Sequence, residues 1–406
     1  GNDILIGSPL VYINELDEIP SPYLSGAFDE FFEYPYIPII ETNRSCPYRC
    51  TYCAWGIGTK QLTYYSTDRV KAEIEYIAER CKNAGFIWVC DANFSILKRD
   101  EEIAEKFYEC YVKYRFPVHV MVQWNKSRPQ RIVDIAKKFR GLADVVQSFQ
   151  SIHEPTLKAI KRKNLPIETV KEMIKEFRSN GIHVISELIV GLPEETKQSH
   201  IDGIKTVIDM GADPCNYNLH IIPGTQMDLN KEREKYFKET VFRLHDQAYG
   251  IYDGVKVFEI QEVVNETTTM TKEELRSFRF IHFLLQFLLQ KKWYIDFLQF
   301  QKCLGYHPVD FILEIDKACK EDKGRIGNLY RTFKMIHDRE ESFKTREELI
   351  EYWRQEKNFN RLKNAEYGKL NATFIYKILL ECHDEFNEFL YNLTKKLGLI
   401  RWEKID

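Results

Sequence analysis

Glu41-Thr-Asn-Arg-Ser-Cys-Pro-Tyr-Arg-Cys-Thr-Tyr-Cys-Ala-Trp-Gly56 is the stretch whose reading decides the fold. It sets Cys46, Cys50 and Cys53 in a Cys-x3-Cys-x2-Cys run. Thiolates so close in sequence suit one soft-metal centre: zinc, copper(I) or an iron–sulfur cluster. A structural zinc site wants four protein ligands, usually as two pairs, and no His or fourth Cys stands nearby. Three thiolates fit a four-iron cluster that leaves one iron open to a small ligand. On the residues alone, a zinc loop and three structural thiols remain the alternatives.

Outward from this loop, the chain alternates strand and helix patterns between Ile37 and Ile222. Ile37–Thr42 reads as the first strand. Asp68–Ala84 reads as a helix on the spacing of Val70, Ile74, Ile77 and Cys81, capped at Thr67 or Asp68 and stopped by Gly85. Phe86–Cys90, Val118–Val122, Val145–Phe149, Ile182–Val190 and Asn216–Ile222 read as five more strands. Helices carrying Ile103 and Phe107, starting at Pro129, passing Leu157, running Val170–Phe177 and running Thr196–Met210 lie between them. Such alternation implies βαβ units around a parallel sheet. The expected fold is α/β: a partial (βα)6 TIM-like barrel with an α-helical C-terminal domain. Chemistry is expected at the strand C-terminal ends.

The expected divisions are a lead-in at 1–36, the barrel at 37–230 and a mainly helical C-terminal domain at 231–406. Ile4–Ile6 reads as a short strand, and Phe258–Val264 as one more beyond the barrel. Thr271-Lys-Glu-Glu274 reads as a capping box before a helix. Trp293 and Trp353 read as core. Asn216, Asn218 and His220 share one strand face, without an assigned role.

The bulk numbers bound the function. A chain of 406 residues, 44% hydrophobic, has room for two or three domains and is not a disordered chain. Its 58 Lys and Arg against 61 Asp and Glu leave −3, which marks no nucleic-acid or anionic-membrane partner. The basic run Lys158–Lys163 reads as a solvated helix face. Beyond the first three, Cys81, Cys90, Cys110, Cys215, Cys303, Cys319 and Cys382 stand alone, so neither a disulfide framework nor a second cluster is expected. This points to a reducing, cytoplasmic setting. The apolar run Phe283–Leu289 is too short to span a membrane. No signal-peptide pattern opens the sequence, and the Asn265 sequon reads as accidental. The chain starts on Gly1 rather than Met and is read as a fragment or a processed form.

The cluster-type loop with its Tyr52-Cys53 step, placed after the first strand, resembles the radical S-adenosylmethionine (SAM) superfamily. The Leu16-Asp-Glu-Ile-Pro-Ser-Pro-Tyr-Leu24 segment, the Glu41-Thr-x-Arg-x-Cys-Pro start and the Ala54-Trp-Gly end are similar to the radical SAM portion of cobalamin-dependent members. In that subgroup a cobalamin-binding domain precedes the linker, and no stretch of this chain reads as that domain. The likeness covers about residues 16–228. It implies a [4Fe–4S] cluster on Cys46, Cys50 and Cys53, with SAM on the open iron. It also implies reductive cleavage to a 5′-deoxyadenosyl radical that abstracts a substrate hydrogen, fed by a flavodoxin- or ferredoxin-type reductant.

The resemblance also implies a SAM pocket at the strand ends. Asp91 and Asn93 would accept from the amino group, in place of the family's glycine-rich step. Gln123 would face SAM. Gln147 would reach the ribose, and Arg162 would clamp the carboxylate. Glu187, sharing a face with His183, Ile185 and Ile189, would accept from the ribose diol or form an ion pair with His183. Ile189, on the Ile-Val-Gly-Leu-Pro strand, and Pro223, in Ile222-Pro-Gly-Thr225, would meet adenine. Tyr64 and Tyr65 read as packing. The leading function is a cobalamin-dependent C-methyltransferase. The alternatives are a cobalamin-independent radical SAM enzyme catalysing rearrangement, dehydrogenation or C–C bond chemistry, and a non-enzymatic cluster-bearing redox sensor. The substrate is left open among a small metabolite, a lipid and a peptide.

Overall fold

The computed structural model describes residues 7–8, 13–55, 57, 61–364 and 370–399. The expected Ile4–Ile6 strand lies outside them. The chain divides into two compact units. The first comprises Gly1–Arg49, Trp55–Gln147 and Leu165–Val184; the second comprises Cys50–Ala54, Ser148–Asn164 and Ile185–Asp406.

In the first unit, strands β1 (Ile39–Ile40), β2 (Phe86–Phe94) and β3 (His119–Trp124) form a parallel sheet in that order. Ile39 pairs with Trp88, and Trp88 with Met121. The crossovers are helices α1 (Thr67–Arg80) and α2 (Asp100–Tyr114). Their apolar stripes bury Val70, Ile74 and Ile77, and Ile103, Phe107 and Cys110, at the expected helical spacing. Helix α3 (Pro129–Lys138) opens on proline as expected and leads to β4 (Val145–Val146). Val145 N–H donates to the His183 carbonyl at 2.9 Å. Phe94, Trp124 and Phe139 pack edge to face or tilted with centroids about 6 Å apart, and Trp124 Nε1 donates to the Asp144 carbonyl.

In the second unit lie α4 (Glu154–Ala159) and, beyond α5 (Ile167–Ser179) of the first unit, β5 (Val184–Val190). Residues 185–190 of β5 pair in parallel with β6 (Asp213–Asn218) across α6 (Lys197–Met210), whose N-cap Thr196 makes a capping box with Ser199. Six strands alternate with helices in the order of a partial (βα)6 TIM-like barrel, and a mostly helical region follows. The fold class is therefore as expected.

Several boundaries moved. Helix α1 is capped by Ser66, whose Oγ accepts from Arg69 N, and it ends at Arg80, before Gly85. Strand β2 runs on to Phe94 and so carries Asp91 and Asn93 itself. Strand β6 ends at Asn218, so Ile222–Thr225 is a turn beyond it, closed by Thr225 N–H on the Ile222 carbonyl.

The larger departure is a long antiparallel hairpin of β7 (Phe237–Tyr252) and β8 (Val255–Thr267), where one short strand was expected. It turns on Asp253 and Gly254, both with positive φ, the geometry of a tight two-residue hairpin. Val264 N–H donates to the Leu219 carbonyl and Ile221 N–H to the Glu262 carbonyl, so the hairpin pairs with the chain that continues β6. Helix α7 (Asn230–Tyr236) precedes it, and Arg233 joins Asp228 and Glu262 at 2.7 and 2.6 Å.

Beyond the hairpin come α8 (Lys272–Leu285), with the expected Thr271–Glu274 capping box, and a π-helical turn at Gln286–Gln290. Then follow α9 (Ile295–Cys303), α10 (Pro308–Glu321), α11 (Arg325–Glu340), α12 (Arg346–Arg354), α13 (Glu356–Lys363), α14 (Leu370–Glu381) and α15 (His383–Lys396). Phe283, Phe333 and Phe374 meet at centroid distances of 5.1 to 6.5 Å, and Phe287 packs on Phe386. Trp353 is fully buried with Leu244, Leu349, Phe359 and Leu362, whereas Trp293 is 58% exposed and is not core. Among the described residues no helix is long and apolar enough to cross a membrane.

Candidate active site

Of the three thiols, Cys46 lies in the first unit and is buried; Cys50 and Cys53 fall in the second. In the first unit, the residues before Cys46 are held by a buried knot. The Asp91 carboxylate accepts from Thr42 N at 2.7 Å, Thr42 Oγ1 at 2.5 Å, Asn43 N at 3.1 Å and Asn43 Nδ2 at 2.6 Å. Burial pushes its pKa up to about 6, against the pull of those donors. Asp91 is thus occupied as an anchor, and the free acceptor expected from the sequence is not what its geometry offers.

Asn93, 1% exposed, donates from Nδ2 to Cys46 Sγ at 3.0 Å. Its Oδ1 is buried without a hydrogen-bond partner. Tyr48, between the thiols, donates to Asn125 Oδ1 at 3.1 Å, and Asn125 N–H in turn donates to the Phe94 carbonyl. Gln123, on β3, alternates with buried Val122 and Trp124 and so lies on the same face as Met121, away from the packed core. Gln147 is 4% exposed. Arg99 donates from Nη2 to the Thr42 carbonyl at 2.8 Å. Tyr65 is buried under Arg69, while Tyr64 is 54% exposed. His183 pairs with Asp144 at 3.7 Å, the partner the sequence did not point to.

In the second unit, Thr51 N–H donates to the Ile160 carbonyl and Met227 N–H to the Thr51 carbonyl, both at 3.1 Å; Cys53 N–H closes a turn on Cys50. Arg162 lies beside these residues. Its Nη1 is 3.2 Å from the Tyr52 hydroxyl and 4.0 Å from Cys50 Sγ, Nε donates to Asn164 Oδ1 at 2.8 Å, and Nη2 donates to the Ser148 carbonyl. Burial raises the Tyr52 hydroxyl pKa, with Arg162 opposing it. Glu187 accepts from Ser148 Oγ at 2.5 Å and from Gln150 Nε2 at 3.5 Å. It alternates with buried Ser186 and Leu188, so Ile185, Glu187 and Ile189 share one face, as the strand period requires. Gly191 follows at φ +89, where a Cβ would also meet Leu275 at 3.3 Å. Pro223 is exposed in its turn.

Asn216, Asn218 and His220 line a cavity of about 560 Å³ with Arg243, Arg279 and Gln286. Burial, with Arg243 beside it at 2.8 Å, pushes His220 down to about 3. Sequence reasoning missed Thr42, Asn43, Tyr48 and Asn125, although the first three lie in the quoted stretch. Their role depends on partners some 30 to 80 residues away, which no local pattern reports.

Residues 40–207 match the family model described as the Radical SAM superfamily. The chain belongs to the radical SAM superfamily. Its relatives include the cobalamin-dependent radical SAM methyltransferase TokK of Streptomyces tokunonensis, 32% identical over 71% of this chain and 44% of that protein. The 2-(S-pantetheinyl)-carbapenam-3-carboxylate methyltransferase of Streptantibioticus cattleyicolor is 32% identical over 68% of this chain and 42% of its own. The chain thus spans less than half the length of these two relatives. A match over 71% of the chain exceeds what residues 16–228 can supply, so part of the likeness lies outside that stretch. Among solved structures, the radical SAM methyltransferase TsrM of Kitasatospora setae is 15% identical over 53% of this chain and 42% of its own, with TM-score 0.42.

The superfamily implies a [4Fe–4S] cluster and SAM. The donor set fits: three reduced thiols on eight residues of chain, and the orphaned Oδ1 of Asn93, the residue whose Nδ2 donates to one of them. Among the described residues no three ligand side chains converge closely enough for a single metal ion. A cubane spreads its thiolates more widely than one ion does.

Proposed function

We propose that this chain is the radical SAM portion of a cobalamin-dependent C-methyltransferase acting at an unactivated carbon. The domain limits proposed are 37–230 for the catalytic barrel and 231–406 for the C-terminal domain. The observation that carries the reading is the Cys46-x3-Cys-x2-Cys53 loop, anchored through Asp91, with Asn93 on Cys46. The two 32% identical relatives, whose names specify methyl transfer, support the finer reading.

Cys46, Cys50 and Cys53 would hold the cluster. When bound and reduced, the cluster supplies the electron that cleaves the sulfonium C–S bond of SAM. Asn93 Oδ1 is an acceptor of the right polarity for the protonated amine of SAM, and it is favoured over Asp91, whose oxygens are engaged. Arg162, next to Cys50, supplies the cation for the carboxylate, with Nη1 exchanging its Tyr52 contact. Gln147 and Glu187 are proposed for the ribose, Gln123 for the SAM-facing wall, and Ile189 and Pro223 for adenine. Fixing SAM this way leaves little reorganisation at the moment of electron transfer.

Anaerobically reconstituted protein under a strong reductant should convert SAM to 5′-deoxyadenosine and methionine. The triple variant Cys46→Ala, Cys50→Ala, Cys53→Ala should retain near-zero iron. Full iron retention in that variant, or no 5′-deoxyadenosine from a loaded and reduced wild type, would sink the assignment.

A further inference from the structure

We propose that Asn93 sets the reduction potential of the cluster through its hydrogen bond to Cys46. This rests on the proposed cluster but concerns a different property of the chain. The Nδ2–Sγ distance is 3.0 Å, and both partners are buried, Asn93 to 1% and Cys46 to 8% exposure. A cluster-bound thiolate carries no proton and only accepts, so the amide must present its NH2 to it. That orientation leaves Oδ1 on the far side, where it has no partner in the chain.

The physical consequence follows from charge. One electron from an external flavodoxin- or ferredoxin-type donor makes the cluster and its thiolates more negative by one unit, with no proton transferred. A donor on a ligand sulfur therefore stabilises the reduced form more than the oxidised form, and the potential rises. Burial keeps water from screening the bond. The amide is neutral, so it adds this effect without changing the net charge.

The same knot fixes both ends of the bond. Asp91 and Asn93 lie two residues apart on β2; Thr42 and Asn43, which donate to Asp91, shortly precede Cys46. Withdrawal of the Cys46 backbone from the amide would have to pull on Thr42 and Asn43, which Asp91 holds. In this role Asn93 acts through a ligand sulfur, by its Nδ2, separately from the Oδ1 proposed for SAM.

The test is a redox titration of the cluster followed by electron paramagnetic resonance. Asn93→Leu removes the donor and keeps the branching; Asn93→Asp keeps the shape and replaces the donor with an acceptor. In each, the equilibrium should move about tenfold toward the oxidised cluster, a midpoint about 59 mV lower for one electron. Asn93→Asp should shift at least as far as Asn93→Leu. Variants that load four irons and titrate with the wild-type midpoint overturn the proposal. If the variants do not load, wild-type protein labelled with 15N in the asparagine amide decides: a 15N coupling to the reduced cluster supports the bond, and none overturns it. Failure of the wild type to hold any cluster overturns the family reading as well, which separates the two failures.

Discussion

At the residue scale, burial decides how the acids behind the cluster loop behave. Asp91 and Asp100 are both fully buried, and burial pushes Asp100 up to about 7 from an ordinary 3.8. Its Oδ2 accepts from Leu97 N at 3.1 Å, which opposes the shift without cancelling it. An acid with a raised folded pKa binds its proton more tightly in the native state. Its desolvation cost is therefore absent below about pH 4, grows as pH climbs, and is complete above about 7. Asp100→Asn removes the titration while keeping the shape. In urea unfolding across this range, the variant should gain on the wild type by up to about 1.4 kcal/mol per pH unit between about 4 and 7, then run parallel to it. Parallel curves throughout would mean that Asp100 ionises in the fold as it does unfolded.

At the element scale, the hairpin of β7 and β8 is the part that the hydrophobic pattern concealed. Its strands mix charged and apolar residues, with register shifts between Phe258 and Ile260 and near Val264, so a clean period of two is absent. The legible signal was Asp253-Gly254, the dipeptide that a two-residue turn with two positive φ values demands. Gly254 sits at φ +78 with open space around a Cβ, so the cost of replacing it is conformational rather than steric crowding. Gly254→Val should destabilise the chain by about 1–2 kcal/mol in urea unfolding. A variant as stable as the wild type would show that the turn is not held in this geometry.

At the scale of the whole molecule, the proposed methyl transfer makes a stoichiometric demand. A methyltransferase working through cobalamin needs one SAM to remethylate cobalt and another for the radical. The full-length enzyme supplied with substrate, cobalamin and reductant should therefore form S-adenosylhomocysteine as well as 5′-deoxyadenosine. With substrate and methyl-labelled SAM, the label should reach product carbon. Formation of 5′-deoxyadenosine alone, with cobalamin and substrate present, would turn the reading to the cobalamin-independent alternative.

The sequence by itself determined the α/β alternation, the helix faces and the thiol spacing, because each rests on a period or a spacing within a few residues. Val70, Ile74 and Ile77, the Pro129 helix start and the Thr271–Glu274 cap were legible for that reason. The roles of Asp91, Asn93 and His183 were decided only by the tertiary structure. Whether a polar side chain is a free acceptor, an anchor or a donor to sulfur depends on which groups remain beside it once water is excluded. Those groups arrive from distant parts of the chain: Thr42 and Asn43 for Asp91, Cys46 for Asn93, Asp144 for His183. Buried polar atoms must find such partners or go unsatisfied, and which partner each finds is a property of the packed chain.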